Sequence, residues 1–126
     1  MNSETFYQNI LQKALLEIKQ EKANAMVFGP LKPQSLDFTE NLNSFHEAQQ
    51  IVQHQGYKVF DQIPYLDIYL SDAPFDFDIK FPIFFQGIIQ SKLITHAFFT
   101  SDWKTSIGAT KEHEYCEKSD IKIMYL

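Results

Sequence analysis

Apolar positions recur along this chain in two alternating rhythms. Over residues 4 to 23, Phe6, Ile10, Leu11, Ala14, Leu15 and Ile18 repeat at helical spacing with Gln, Lys and Glu between them, which predicts an amphipathic helix. The stretch NAMVFGP predicts a short buried strand stopped by Gly29 and Pro30, because glycine permits a sharp turn and proline removes a ladder donor. From Glu40 to Gln55, Leu42, Phe45, Ala48 and Val52 form one stripe, with Asp37 or Thr39 as candidate N-cap and Gly56 as terminator. YKVFDQI predicts a second strand ended by Pro64, followed by an aromatic and acidic loop, PYLDIYLSDAP, of a length that is more often functional than accidental.

The pattern resumes with a helix from about Lys80, carried by Phe81, Phe84, Phe85, Ile88 and Ile89, with Pro82 in its first turn. LITHAFFT predicts a third strand, apolar throughout as buried parallel strands are, residues 107 to 118 a helix, and IKIMYL a last strand. Alternation of helix and strand without hairpin signals predicts an α/β fold: a three-layer Rossmann-like (flavodoxin-like) sandwich whose mostly parallel sheet has about four strands. The first helix, within residues 1–23, is then an N-terminal extension of a single domain spanning 1–126. Folds of this class bind ligands at the carboxyl ends of their strands.

Charge and composition narrow the function. A formal net charge of -5 and the absence of a Lys/Arg-rich stripe argue against polymeric nucleic acid and anionic membrane surfaces, and leave small ligands open. Twelve Phe and six Tyr exceed what a core of this size needs, and the excess of Phe, concentrated in FDFDIKFPIFFQ, points to a homo-oligomer or another docking surface. Met1 is followed by polar, partly acidic residues and the apolar runs fall short of a membrane span, so a cytoplasmic protein is expected. A lone cysteine, Cys116, excludes an internal disulfide and suits a reducing compartment. Neither a metal site nor a cofactor is expected. His46, His54 and His96 lack paired ligand spacing, and FGPLKP offers one glycine where a dinucleotide fingerprint needs three.

The candidate chemistry lies in FFTSDWKTSIGATKEHEYC. Ser106 can cap the helix, Gly108 admits close backbone approach, and Ala109, Glu112 and Cys116 fall on one stripe. Small and apolar members turn that stripe toward the sheet, which makes Glu112 an inward carboxylate near the positive end of a helix dipole. Helix dipole and burial pull its proton affinity in opposite directions, a balance suited to a nucleophile or base. Surface pairing of Glu112 with Lys104 or Lys111 is the simpler alternative, and Cys116 reads as a structural thiol.

VFGP, GYKVFDQIP and FFTSDWKTSIGATKEHEYC together resemble the nucleoside 2-deoxyribosyltransferase-like superfamily, and within it a small phage and bacterial branch whose last motif runs roughly G-W-x-x-S-x-G-A-x-x-E-H-x-x-A. The resemblance extends from about Met26 to the C-terminal residue. Trp103, Ser106, Gly108, Ala109, Glu112 and His113 stand at the family spacing, with Cys116 where a small Ala is usual. It implies cleavage of the N-glycosidic bond of a nucleoside or nucleotide, with Glu112 attacking the anomeric carbon. It further implies that Phe28, Gly29 and Pro30 wall the pocket, that Asp102 and Trp103 stand at its mouth, and that Ser106 and Gly108 hold a 5′-hydroxyl or phosphate, with Lys32 adding charge. The chain departs from the family in carrying no carboxylate between Asp78 and Asp102, and in placing Asp102 where a glycine precedes the Trp. A catalytically inactive nucleotide-binding or protein-interaction module on the same fold is the alternative.

Overall fold

The computed structural model describes residues 3–31, 38–65 and 82–126. Helix α1, Ser3–Glu21, leads into strand β1, Ala25–Phe28, and helix α2, Phe38–His54, follows. A π-helical turn, Pro82–Gln86, runs into the short helix α3, Gly87–Gln90, and then into β2, His96–Phe99. A 3-10 turn, Trp103–Thr105, precedes α4, Ile107–Glu117, and β3, Lys122–Tyr125, completes the order. The three strands form a parallel sheet in the order β1-β2-β3, with Phe28 opposite Phe99 and Phe99 opposite Tyr125 in register.

Side-chain alternation divides the sheet into two faces. Ala25, Val27 and Phe98 pack with Phe45, Ala48 and Val52 of α2. Met26, Phe28, Ala97 and Phe99 pack on the opposite face with Tyr7, Leu11, Ala14 and Ile18 of α1, Ile88 and Ile89 of α3, and Cys116 of α4. Helices therefore cover both faces, and β1 and β2 are buried throughout except for partly exposed His96. β3 is more exposed.

Two details differ from the sequence pattern. In α1 the inward stripe runs through Tyr7 rather than Phe6; Phe6 stays exposed and sets its ring edge against Tyr7. The strand expected over 57–63 is reduced to one parallel bridge between Val59 and Ala25, so the described sheet has three strands and not four. Phe60 N–H donates to Ala25 O, after which the chain turns, because the Asp61 carboxylate accepts from Ile63 N–H and Gln49 Nε2. Such an Asx turn competes with the ladder.

Other elements follow the pattern closely. Helix α2 starts at Phe38, which puts Thr39 inside it rather than at its cap, and ends before Gly56, whose φ of 100° supplies the left-handed residue. The expected loop over 64–74, the start of the helix near Lys80, Asp37 and Lys32 fall wholly or largely outside the described residues. No helix among the described residues is long and apolar enough to cross a membrane.

Candidate functional site

Chain order and sheet order place a natural crevice. From β1 the chain passes through α2, on one face, to the Val59 bridge on one side of the strand; it then returns through α3, on the other face, to β2 on the opposite side. The carboxyl ends of β1 and β2 thus flank the point where the winding reverses, the usual ligand position in open α/β sheets.

Gly29 and Thr100 meet at that point. A Cβ on Gly29 would lie 2.4 Å from Thr100 Oγ1, so only glycine lets the two backbones close here, joined by Thr100 N–H donating to Phe28 O. Thr100 Oγ1 donates to Asp102 Oδ1 at 2.8 Å, and Thr105 Oγ1 donates to the Asp102 carbonyl at 2.8 Å. These bonds fold the chain into the turn that presents Trp103. Asp102 is exposed, so it stands at a rim.

The remaining expected residues occupy distinct roles. Phe28 is buried in the core, stacked on Phe99 at 5.1 Å between centroids, while Gly29 and Pro30 after it are partly exposed. Ser106 caps α4, its Oγ accepting from Ala109 N–H at 3.1 Å. Gly108 has nearly open space at its Cβ position, with Ser106 Oγ 3.8 Å away, so close packing does not demand glycine there. Trp103 lies flat on His113, centroids 4.0 Å apart and planes 11° from parallel, with the Lys104 ammonium 5.6 Å from its ring centroid. One face of the indole is therefore already occupied.

Glu112 follows Ala109 by three residues and precedes Cys116 by four, and both of these are buried. Its side chain keeps partial exposure, yet the surrounding protein pushes its carboxyl well above the usual carboxylate range, desolvation being the cause. Burial, with a smaller push from Glu112, raises the Cys116 thiol to about 12. Carboxyl and thiol lie on one helix face four residues apart, and burial above all makes the thiol inert. Surface pairing of Glu112 is not what the structure shows: among the described residues no hydrogen bond or ion pair reaches its carboxylate.

Two arrangements escaped the sequence reading, the contact made by Gln62 and the partners of His113. Gln62, 3% exposed, donates from Nε2 to Val27 O at 2.6 Å and leaves Oε1 buried beside the end of β1 with no partner among the described residues. His113 is buried between Glu117, within ion-pair distance of its Nδ1, and the Tyr125 hydroxyl, hydrogen-bonded to its Nε2. Neither carries a local sequence signal. Gln62 lies 35 positions from its partner, and Tyr125 is reached only by strand pairing.

Two cavities among the described residues lie away from these residues. One, of about 430 Å³, is lined at the amino ends of β2 and β3 by residues including Ile94, Lys118 and Ile121; the other, of about 420 Å³, lies between α1 and Tyr65. No group of three or more His, Cys, Asp or Glu among the described residues is placed to hold a metal ion. Comparison with protein-family models, curated proteins and solved structures gave no match in any of the three.

Proposed function

We propose that this chain has the Rossmann-like (flavodoxin-like) architecture of the nucleoside 2-deoxyribosyltransferase-like superfamily and cleaves the N-glycosidic bond of a nucleoside or nucleotide. The observation that carries the reading is Glu112: an inward carboxylate, without a partner among the described residues, on the helix that starts at the carboxyl end of the sheet. Once its proton has passed to solvent, the ionised Glu112 carboxylate attacks the anomeric carbon through one oxygen; the bond to the base breaks with its electron pair going to the base nitrogen, and the glycosyl ester left behind is resolved by water or a second base. A desolvated carboxylate suits the step, because developing oxocarbenium charge beside it favours its ionised form most strongly in the transition state.

Other residues support binding. Gly29 opens the crevice, Phe28 floors it, and Asp102 and Trp103 rim it. The bare Gln62 Oε1 would accept a hydrogen bond from a ligand N–H or O–H. The first N–H groups of α4, with Ser106 and Gly108, would receive a 5′-hydroxyl or phosphate. Phe6, Leu16 and Ile51 remain exposed and support a homo-oligomer.

The test is chromatographic detection of free base after incubation with a panel of nucleosides and 5′-monophosphates, with Glu112→Gln alongside. Release by the wild type alone assigns the reaction; silence from folded protein removes it. The second reading, a non-catalytic nucleotide-binding or interaction module, is favoured by the position of the two described cavities away from Glu112. It requires that Glu112→Gln leave partner or ligand binding nearly unchanged.

A further inference from the structure

His113 joins Trp103 to a hydrogen-bonded chain that the mechanism above leaves unused. The imidazole is 7% exposed, held flat by Trp103 and edge-on by Phe99, whose centroid lies 4.8 Å away at 72°. Its Nδ1 lies 3.2 Å from Glu117 Oε1, and its Nε2 lies 2.6 Å from the Tyr125 hydroxyl. Glu117 and Tyr125 both reach water, their exposures being 59% for the glutamate side chain and 60% for the tyrosine. Tyr125 is in register with Phe99, at the carboxyl end of the sheet.

This arrangement fixes how a proton moves. An ionised carboxylate only accepts, so Glu117, 3.2 Å from Nδ1, favours the tautomer that carries hydrogen there when the ring is neutral, and both nitrogens carry it when the ring is charged. Nε2 then reports the ring's state. In the neutral ring it accepts the Tyr125 O–H; in the charged ring it donates to the Tyr125 oxygen and turns the phenolic hydrogen outward. Among the described residues the groups facing His113 are Glu117 from its own helix, Tyr125 from β3, Phe99 from β2 and Trp103, whose ring centroid has the Lys104 ammonium 5.6 Å away.

We propose that Glu117, His113 and Tyr125 form a proton relay, in which Tyr125 is the catalytic acid that protonates the departing base and His113 and Glu117 are positioning residues. The proposal rests on glycosyl transfer to Glu112. As the carbon–oxygen bond to Glu112 forms, the glycosidic electron pair passes to the base nitrogen. That nitrogen takes the Tyr125 proton, and the tyrosine oxygen takes the proton from His113 Nε2. Glu117 balances the imidazolium until then, and solvent reloads the relay afterwards.

Leaving-group dependence tests the acid role. Base release from the nucleoside panel is compared with nitrophenol release from p-nitrophenyl riboside and 2-deoxyriboside, since nitrophenolate departs without a proton. Tyr125→Phe should slow base release by about 10²- to 10⁴-fold and nitrophenol release at least tenfold less. His113→Gln should slow base release at least tenfold more than nitrophenol release, as Tyr125→Phe does, because it removes the group that reprotonates the tyrosine. Independently of turnover, nitrogen NMR of the wild type should show Nδ1 protonated and Nε2 bare in neutral His113.

An Nε2-protonated neutral ring, or equal losses on both leaving groups from a folded Tyr125→Phe protein, overturns the relay while leaving Glu112 chemistry standing. Wild-type silence on nucleosides and nitrophenyl glycosides alike overturns glycosyl transfer and the acid role with it.

Discussion

Gly29 and Thr100 are in such close contact that a single added carbon on the glycine would overlap the threonine hydroxyl, 2.4 Å away. The contact closes the two strand ends around which the proposed crevice is built, and Thr100 carries the closure into the Trp103 turn through Asp102. Gly29→Ala should therefore destabilise the protein by about 1–3 kcal/mol, as overpacking does. In a Thr100→Ala background the same substitution should cost less, because the clashing oxygen and methyl are gone; urea denaturation of the four proteins measures the coupling.

Glu112 gives stability a pH dependence of known sign. Its folded carboxyl holds a proton at pH values where the unfolded group, near 4.5, has released it. The folded state then binds more protons than the unfolded state, so stability falls as pH rises from about 4.5 through the raised folded value. Glu112→Gln removes that loss. The melting temperatures of mutant and wild type should converge at pH 4 and separate in the mutant's favour as pH rises, by at most about 1.4 kcal/mol per pH unit across the window. A gap independent of pH would show an ordinary, solvated carboxyl.

The cap on α4 is separable from catalysis. Ser106→Ala removes the acceptor for Ala109 N–H and should cost about 1 kcal/mol. Ser106→Asp keeps an acceptor at the helix start and should recover most of it, as chemical denaturation will report.

Cys116 should behave as core. With its thiol raised from 9.0 to about 12, the thiolate fraction at pH 8 is smaller by roughly a thousandfold than for an ordinary cysteine. A thiol-reactive chromophore should label it on unfolding and hardly at all before.

Much of this was legible in the chain because it is local. Ser106, Ala109, Glu112 and Cys116 share one helix, so spacing alone oriented the carboxylate, and the alternation of elements gave an α/β class with a parallel sheet. What was not legible depended on distant partners. Tyr7 displaced Phe6 from the core although both are apolar, because the stripe is set by where α1 meets the Pro82–Gln86 turn and α3. YKVFDQI carries strand-forming residues, yet Asp61 captures the backbone and Gln49 two residues after the bridge, and only one ladder position survives. Gln62 and the Glu117–His113–Tyr125 chain emerge only once the fold brings β1 and β3 to them.

The central claim is that Glu112 forms a bond to the sugar. Acid-quenching the wild type during turnover of the nucleoside panel, then weighing its peptides, tests it directly. The account expects free base in solution and a sugar-mass adduct on the peptide carrying Glu112, with both lost in Glu112→Gln. Base release that persists in Glu112→Gln, or no release and no adduct from folded wild type on any substrate, would contradict it.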